Sequence, residues 1–396
     1  MDITMNLYPS TKLVTSALRV VFTLTIFIFY LSRFGLDRSF LNNILVFYIL
    51  FLFAESMRSS DLQESLLDGF MKISFSLFMI PIGMELAKWK SNALIKPMIW
   101  MVIILLLNYI LSQFFKLGTS IYDEDSFYKG GATAAAPILL TTAIIYIFHA
   151  FNKKELPYSN WIILIIVAAA LFTILISVKR GAILSTIFGF VIYLLNTSRK
   201  GSSLFYLVIT VGVLYVISLN FTEVLQERLE ARTTERNDIQ NENRYKETFY
   251  IMEELEKMSV LEIVFGKEAF NSGSIMRKYF SHSRQLHVDY NIIFLGTGVF
   301  GFLFYFFVHY SIWSQAKEFL NWVKRLANEE IRFRANEDYA LIVSLMIVSF
   351  IMSFSGGLQF LSYRIILFLL IGYSLGNLNV EHLKLKFQLR KAASNN

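Results

Sequence analysis

The chain has 396 residues, 55% of them hydrophobic and 16% aromatic, and only 17% charged; a soluble domain of this size carries more charge. It has no cysteine, which excludes disulfides, thiolate catalysis and cysteine-based metal sites. Its net charge of +7 is scattered between apolar runs, which suits an anionic leaflet and argues against nucleic acid as a partner.

The apolar runs have the length needed to cross ~30 Å of hydrocarbon. In chain order they predict eleven spans, at about 13–32, 40–55, 66–87, 97–115, 132–150, 161–177, 181–195, 203–220, 288–312, 339–355 and 360–376. Reading the first span differently changes the total to ten or twelve. The expected fold is all-α, a polytopic helical membrane protein. Residues 1–220 form a first bundle, 221–287 a long loop, and 288–396 a second bundle with a tail. Alternating ten-residue segments, the mark of a membrane barrel, are absent. Pro81, Pro137 and the Gly296/Gly298 pair are expected to interrupt spans.

Lysine and arginine counts orient the chain. Arg33/Arg38, Lys88/Lys90/Lys96, Lys153/Lys154, Arg199/Lys200, the 313–338 segment and the tail fall on one side, read as cytoplasmic. Glu55 to Asp68, Asp123-Glu124-Asp125, the 221–286 loop and the Gly356-Gly357 turn fall on the outer side. Only Lys179-Arg180 puts cations in a short outer turn. An anionic ligand is one reason to keep them there; anchoring to headgroups by snorkelling is the other. A bacterial inner membrane is the expected location.

The stretch 221–258 lacks Gly and Pro and should be helical. Tyr245, Phe249, Met252 and Leu255 recur at helical spacing and could pack on the membrane domain. The following VFGKEAFNSGS reads as irregular, with Gly266 and Gly273 as breakers. The 313–335 segment, with Trp313, Phe319, Leu320, Val323 and Leu326 among charges, reads as an amphipathic interfacial helix.

Three residues could carry chemistry. Arg180 opens a helix at the outer mouth, where a guanidinium grips phosphate oxygens in a bidentate way. His287 ends the loop and can accept a proton near neutral pH. Arg244 lies in NENRYKETFYIMEEL, one of several loop arginines. Asp289 is a rival base, and Arg364 is the main intramembrane charge. Each also has an ordinary reading, as a headgroup anchor, a solvated loop histidine or a solvated helix face. No metal or cofactor motif is present; the Asp123-Glu124-Asp125 run reads as a solvated loop.

In order, these pieces are a Ser-x-x-Arg-Gly-Ala turn, a long loop with Asn243-Arg244-Tyr245, a Phe-Gly turn, then His287 and Leu-Gly-x-Gly-x-x-Gly. Over about residues 160–305 this resembles the O-antigen ligase and polymerase superfamily, membrane glycosyltransferases acting on polyprenyl-diphosphate-linked sugars. The resemblance implies a GT-C-like fold, diphosphate binding by Arg180 and Arg244 with Lys179 beside them, and His287 as the base. Val288 stands where the family has Asn, while Tyr290 keeps the aromatic. It further implies an undecaprenyl-diphosphate-linked oligosaccharide as partner, membrane lipids around it, a chain-length regulator, and no cofactor. Repeat-unit polymerisation is favoured; ligation onto a lipid core or protein, and a flippase or transporter, remain alternatives.

Overall fold

The computed structural model describes residues 39–89, 92–115, 136–177, 179–201, 243–279, 286–357 and 360–394, with isolated helical positions on the flanking segments. The expected spans 13–32 and 203–220, the acidic run at 123–125 and residues 221–242 otherwise lie outside the described residues.

Among the described residues the secondary structure is helical, with no strands. We number the helices α1 (Phe40–Ser56), α2 (Met71–Trp89), α3 (Ile95–Phe115), α4 (Ala136–Asn152), α5 (Asn160–Ile176), α6 (Arg180–Asn196), α7 (Asn243–Leu255), α8 (Val260–Phe265), α9 (Ser272–Met276), α10 (Asp289–Leu326), α11 (Glu329–Ser353) and α12 (Leu361–Ser394). Four segments are long and apolar enough to cross a membrane: Leu62–Trp89, Asp289–Leu326, Glu329–Ser353 and Leu361–Lys391. Five more helices, α1 and α3 to α6, are apolar and shorter. Pro137 sits in the first turn of α4, where its missing N–H costs nothing, and Pro81 lies inside a continuous α2.

The tightest packing is α2 on α12 and α6 on α11. Small residues let backbones meet: a methyl group on Gly83 would lie 2.4 Å from the Leu369 carbonyl oxygen. Tyr48, Tyr193, Tyr305, Tyr363, Tyr373 and Phe368 fill the interior between the helices.

Polar residues gather at both ends of the bundle. At one end, α4, α6 and α11 are stitched by buried side chains. Asp338 accepts from Lys153 Nζ at 3.2 Å, and His149 Nε2 lies 3.2 Å from the same carboxylate. Glu337 accepts from Tyr193 Oη at 2.6 Å and from the Thr197 hydroxyl. With both carboxylates paired to buried donors, these groups are tolerated away from water. The opposite end holds the 57–61 turn, Lys179 and the start of α6, the start of α10, the 354–357 turn, and the helical cap α7 to α9.

Two expectations about elements are corrected here. The 313–335 segment is not a separate interfacial helix. No breaker follows residue 312, so α10 runs on to Leu326, and Asn328 caps α11 by accepting from the Ile331 N–H. Phe319, Leu320 and Val323 are buried, Trp313 Nε1 donates to Tyr339 Oη at 3.0 Å, and His382 of the extended α12 stacks on Phe319. Gly273 is not a breaker either, since it lies inside α9.

Candidate functional site

The cap is wedged into the bundle by one strap, residues 266–271. Gly298 breaks α10 with φ 64°, a conformation that only glycine adopts readily, and a methyl group there would lie 2.4 Å from the Val264 carbonyl oxygen. The freed Leu295 carbonyl accepts from the Lys267 N–H at 2.8 Å. Interrupted backbone inside an apolar helix thus finds its partner in the strap. On the other side, Phe270 fills the space over Gly69 in the π-helical turn Ser65–Phe70, and the Ser65 hydroxyl donates to the Ala269 carbonyl.

Glu268 locks the strap to the 57–61 turn. It accepts from the Ser60 N–H at 2.9 Å, from the Ser60 and Ser59 hydroxyls, and from Asn271 Nδ2. Burial pushes the Glu268 carboxyl up, but these donors outweigh it and hold the group below the usual carboxylate range. A carboxyl that binds protons less tightly when docked favours docking above its undocked pKa. That contribution disappears as pH falls through the docked value. The strap should therefore resist proteolysis at neutral pH and become cleavable only well below pH ~4.3, the ordinary glutamate value. Limited proteolysis across pH checks this, and Glu268→Gln is expected to remove the pH dependence.

Helix α7 presents a different face to the bundle from the one its apolar residues suggest. Phe249 and Met252 are exposed, while Glu247, Ile251 and Glu254 are buried. The apolar spacing picks out the wrong stripe because the inward stripe carries two carboxylates with partners. Glu254 pairs with Lys278 and accepts from Tyr279 Oη at 3.1 Å. Glu247, fully buried, takes both the backbone N–H and the ring Nδ1 of His287, each at 2.9 Å.

His287 is thereby held by one carboxylate at two points. Its side chain is 36% exposed, so the imidazole is reachable from the surface. A carboxylate accepting at Nδ1 makes that nitrogen the donor and leaves Nε2 as the basic one.

Arg180 is exposed and is the first residue of α6. Its neighbour Lys179, the N-cap, has no acceptor on its side chain for the first-turn amides, so the positive end of α6 carries no side-chain cap there. The start of α6 is seated on the turn that follows α11: a methyl group on Gly181 would lie 2.3 Å from Ser355 Oγ. The next residue, Gly356, has φ 86°, and a methyl group there would lie 2.4 Å from the His287 carbonyl oxygen. Arg180 and His287 are thus brought to one end of the bundle, separated by the Ser355-Gly356 backbone.

The other expected residues fall around this centre. Arg244 lies on α7 one turn before Glu247; its side chain is outside the described residues. Asp289, the rival base, is only 1% exposed and lies under Gly357, closed off from the surface. Tyr290 turns inward, donating to the Phe350 carbonyl at 2.9 Å. Arg364, 2% exposed, sits in the first turn of α12 below the Gly356-Gly357 turn. One of its Nη atoms donates to Tyr305 Oη at 3.1 Å, and the other has no hydrogen-bond partner among the described residues. Sequence reasoning missed Glu247 and Ser355. The one available signal for Glu247 was its place three residues after Arg244, on the same helical face.

An exposed guanidinium can bind an anion, and an imidazole held at Nδ1 can accept a proton at Nε2. No family model, curated protein or solved structure matches the chain.

Proposed function

We propose that the protein is a membrane glycosyltransferase. It polymerises polysaccharide repeats by moving a growing glycan from undecaprenyl diphosphate onto a lipid-linked repeat at the outer leaflet of a bacterial inner membrane. The observation that carries this reading is the contact path Gly181–Ser355, Gly356–His287, which joins an exposed arginine at a helix N-terminus to a half-exposed histidine. Arg180 and Arg244, with Lys179 beside them, neutralise the diphosphate as it leaves, so charge develops where cations already stand. His287 takes the proton from the acceptor hydroxyl, whose oxygen attacks the anomeric carbon in line, with inversion. The span count of eleven, the GT-C-like fold and the outward orientation of the cap belong to this same reading.

The test is purified protein in vesicles given polyprenyl-diphosphate-linked repeats. A ladder of lengthened glycans on the carrier is expected. His287→Ala should lower its rate by about 10²- to 10⁴-fold without loss of the protein from the membrane. Transfer only onto a lipid core would favour ligation. Movement of the substrate across the bilayer without bond formation would mark a transporter and overturn the proposal.

A further inference from the structure

We infer that Glu247 is the positioning residue for His287, and that the two side chains work as a carboxylate–imidazole pair. This rests on the glycosyl-transfer reading and adds to it a residue that motif resemblance does not mark. Glu247 is fully buried, and its two oxygens take separate donors from one residue: the Nδ1 of the ring and the peptide N–H of His287. The backbone contact fixes where the histidine leaves the cap and enters α10. The ring contact fixes its rotation and its tautomer, leaving the lone pair on Nε2. An adjoining link, Asn291 Nδ2 to Thr248 Oγ1 at 2.9 Å, ties the next turn of α10 to the same stretch of α7.

In the transfer step the acceptor O–H bond breaks and its proton passes to Nε2. The acceptor oxygen forms the new bond to the anomeric carbon, and the bond from that carbon to the diphosphate oxygen breaks, its electron pair leaving with the lipid diphosphate. The imidazolium so formed faces the Glu247 carboxylate across the Nδ1–H bond, which stabilises it until water removes the proton. Glu247 touches neither substrate nor reacting atoms and acts only through His287. Because Arg244 lies on the same helix one turn earlier, docking of α7 delivers a diphosphate ligand and the partner of the base together.

The experiment reads the tautomer and the kinetics separately. In wild-type protein carrying ¹⁵N-histidine, reconstituted in nanodiscs, the His287 signals should show Nδ1 protonated and Nε2 bare; an Nε2–H tautomer overturns the pairing with no variant needed. In Glu247→Gln, of nearly the same shape, the tautomer should become mixed. The kcat for polymerisation should fall about 100-fold, with KM for the lipid-linked repeat changed less than about twofold. Glu247→Asp should recover part of kcat. A Glu247→Gln protein with the wild-type tautomer and kcat refutes the inference. If the tautomer shifts as expected but wild-type protein makes no glycosidic bond, the pair stands and the transfer reading falls.

Discussion

Arg180→Ala is expected to abolish polymer formation, with a loss of about 10²- to 10³-fold or about 2.7–4 kcal/mol of transition-state stabilisation. The residue is exposed and its side chain makes no hydrogen bond or ion pair among the described residues, so the variant should insert normally and melt like the parent. Arg180→Lys keeps the charge but loses the planar fork that meets two phosphate oxygens at once, and should fall between the two. Rates of chain growth from lipid-linked repeats, measured beside membrane levels of each variant, check this. A fully active Arg180→Ala would remove the anion-binding role and leave Arg180 as a headgroup anchor.

Gly356→Val is expected to be nearly as damaging for a different reason. At φ 86° a β-branched residue is strained by about 1–3 kcal/mol, and its Cβ would overlap the His287 carbonyl oxygen 2.4 Å away. Relief requires the 354–360 turn and the start of α10 to part, which moves His287 away from the Arg180 turn. Polymer formation should drop by at least about 100-fold, since small misplacements of reacting groups cost that much. The far end of the bundle, held by Asp338, Lys153 and His149, should stay folded. Hydrogen exchange should rise around 286–292 and 352–358 and remain unchanged in α4 and the start of α11. Activity close to the parent's would mean that His287 does not need this seat.

Arg180 and His287 stand out in the sequence because each breaks a local rule. Cations in a short turn that the lysine and arginine counts assign to the cation-poor side, and a histidine at the mouth of an apolar run, are noticed without any knowledge of contacts. The helices at 40–56, 95–115, 160–176 and 180–196 lie close to where hydropathy draws them, since burial in lipid needs only length and apolarity. The cap was misread for the opposite reason. Phe249 and Met252 have the spacing of a core stripe, yet α7 turns Glu247, Ile251 and Glu254 inward. A carboxylate is a plausible inward residue only once its donors are known, and His287, Lys278 and Tyr279 come from later in the chain. The 313–335 segment was misread because its mixture of aromatic and charged residues fits a membrane surface as well as it fits packing against α11 and α12.

Composition and periodicity by themselves pointed to a helical membrane protein, with a cationic turn at Lys179-Arg180, a long polar stretch before residue 288, and a histidine at its end. Those properties follow from how single residues partition between water and hydrocarbon, which needs no partner. Only the tertiary structure decided that Gly181 meets Ser355, that Gly356 meets His287, and that Glu247 holds the imidazole. Each of these is a pairing between residues far apart in the chain. Hydrogen bonds and close backbone approaches depend on position to within fractions of an ångström, and a linear pattern carries no such distances.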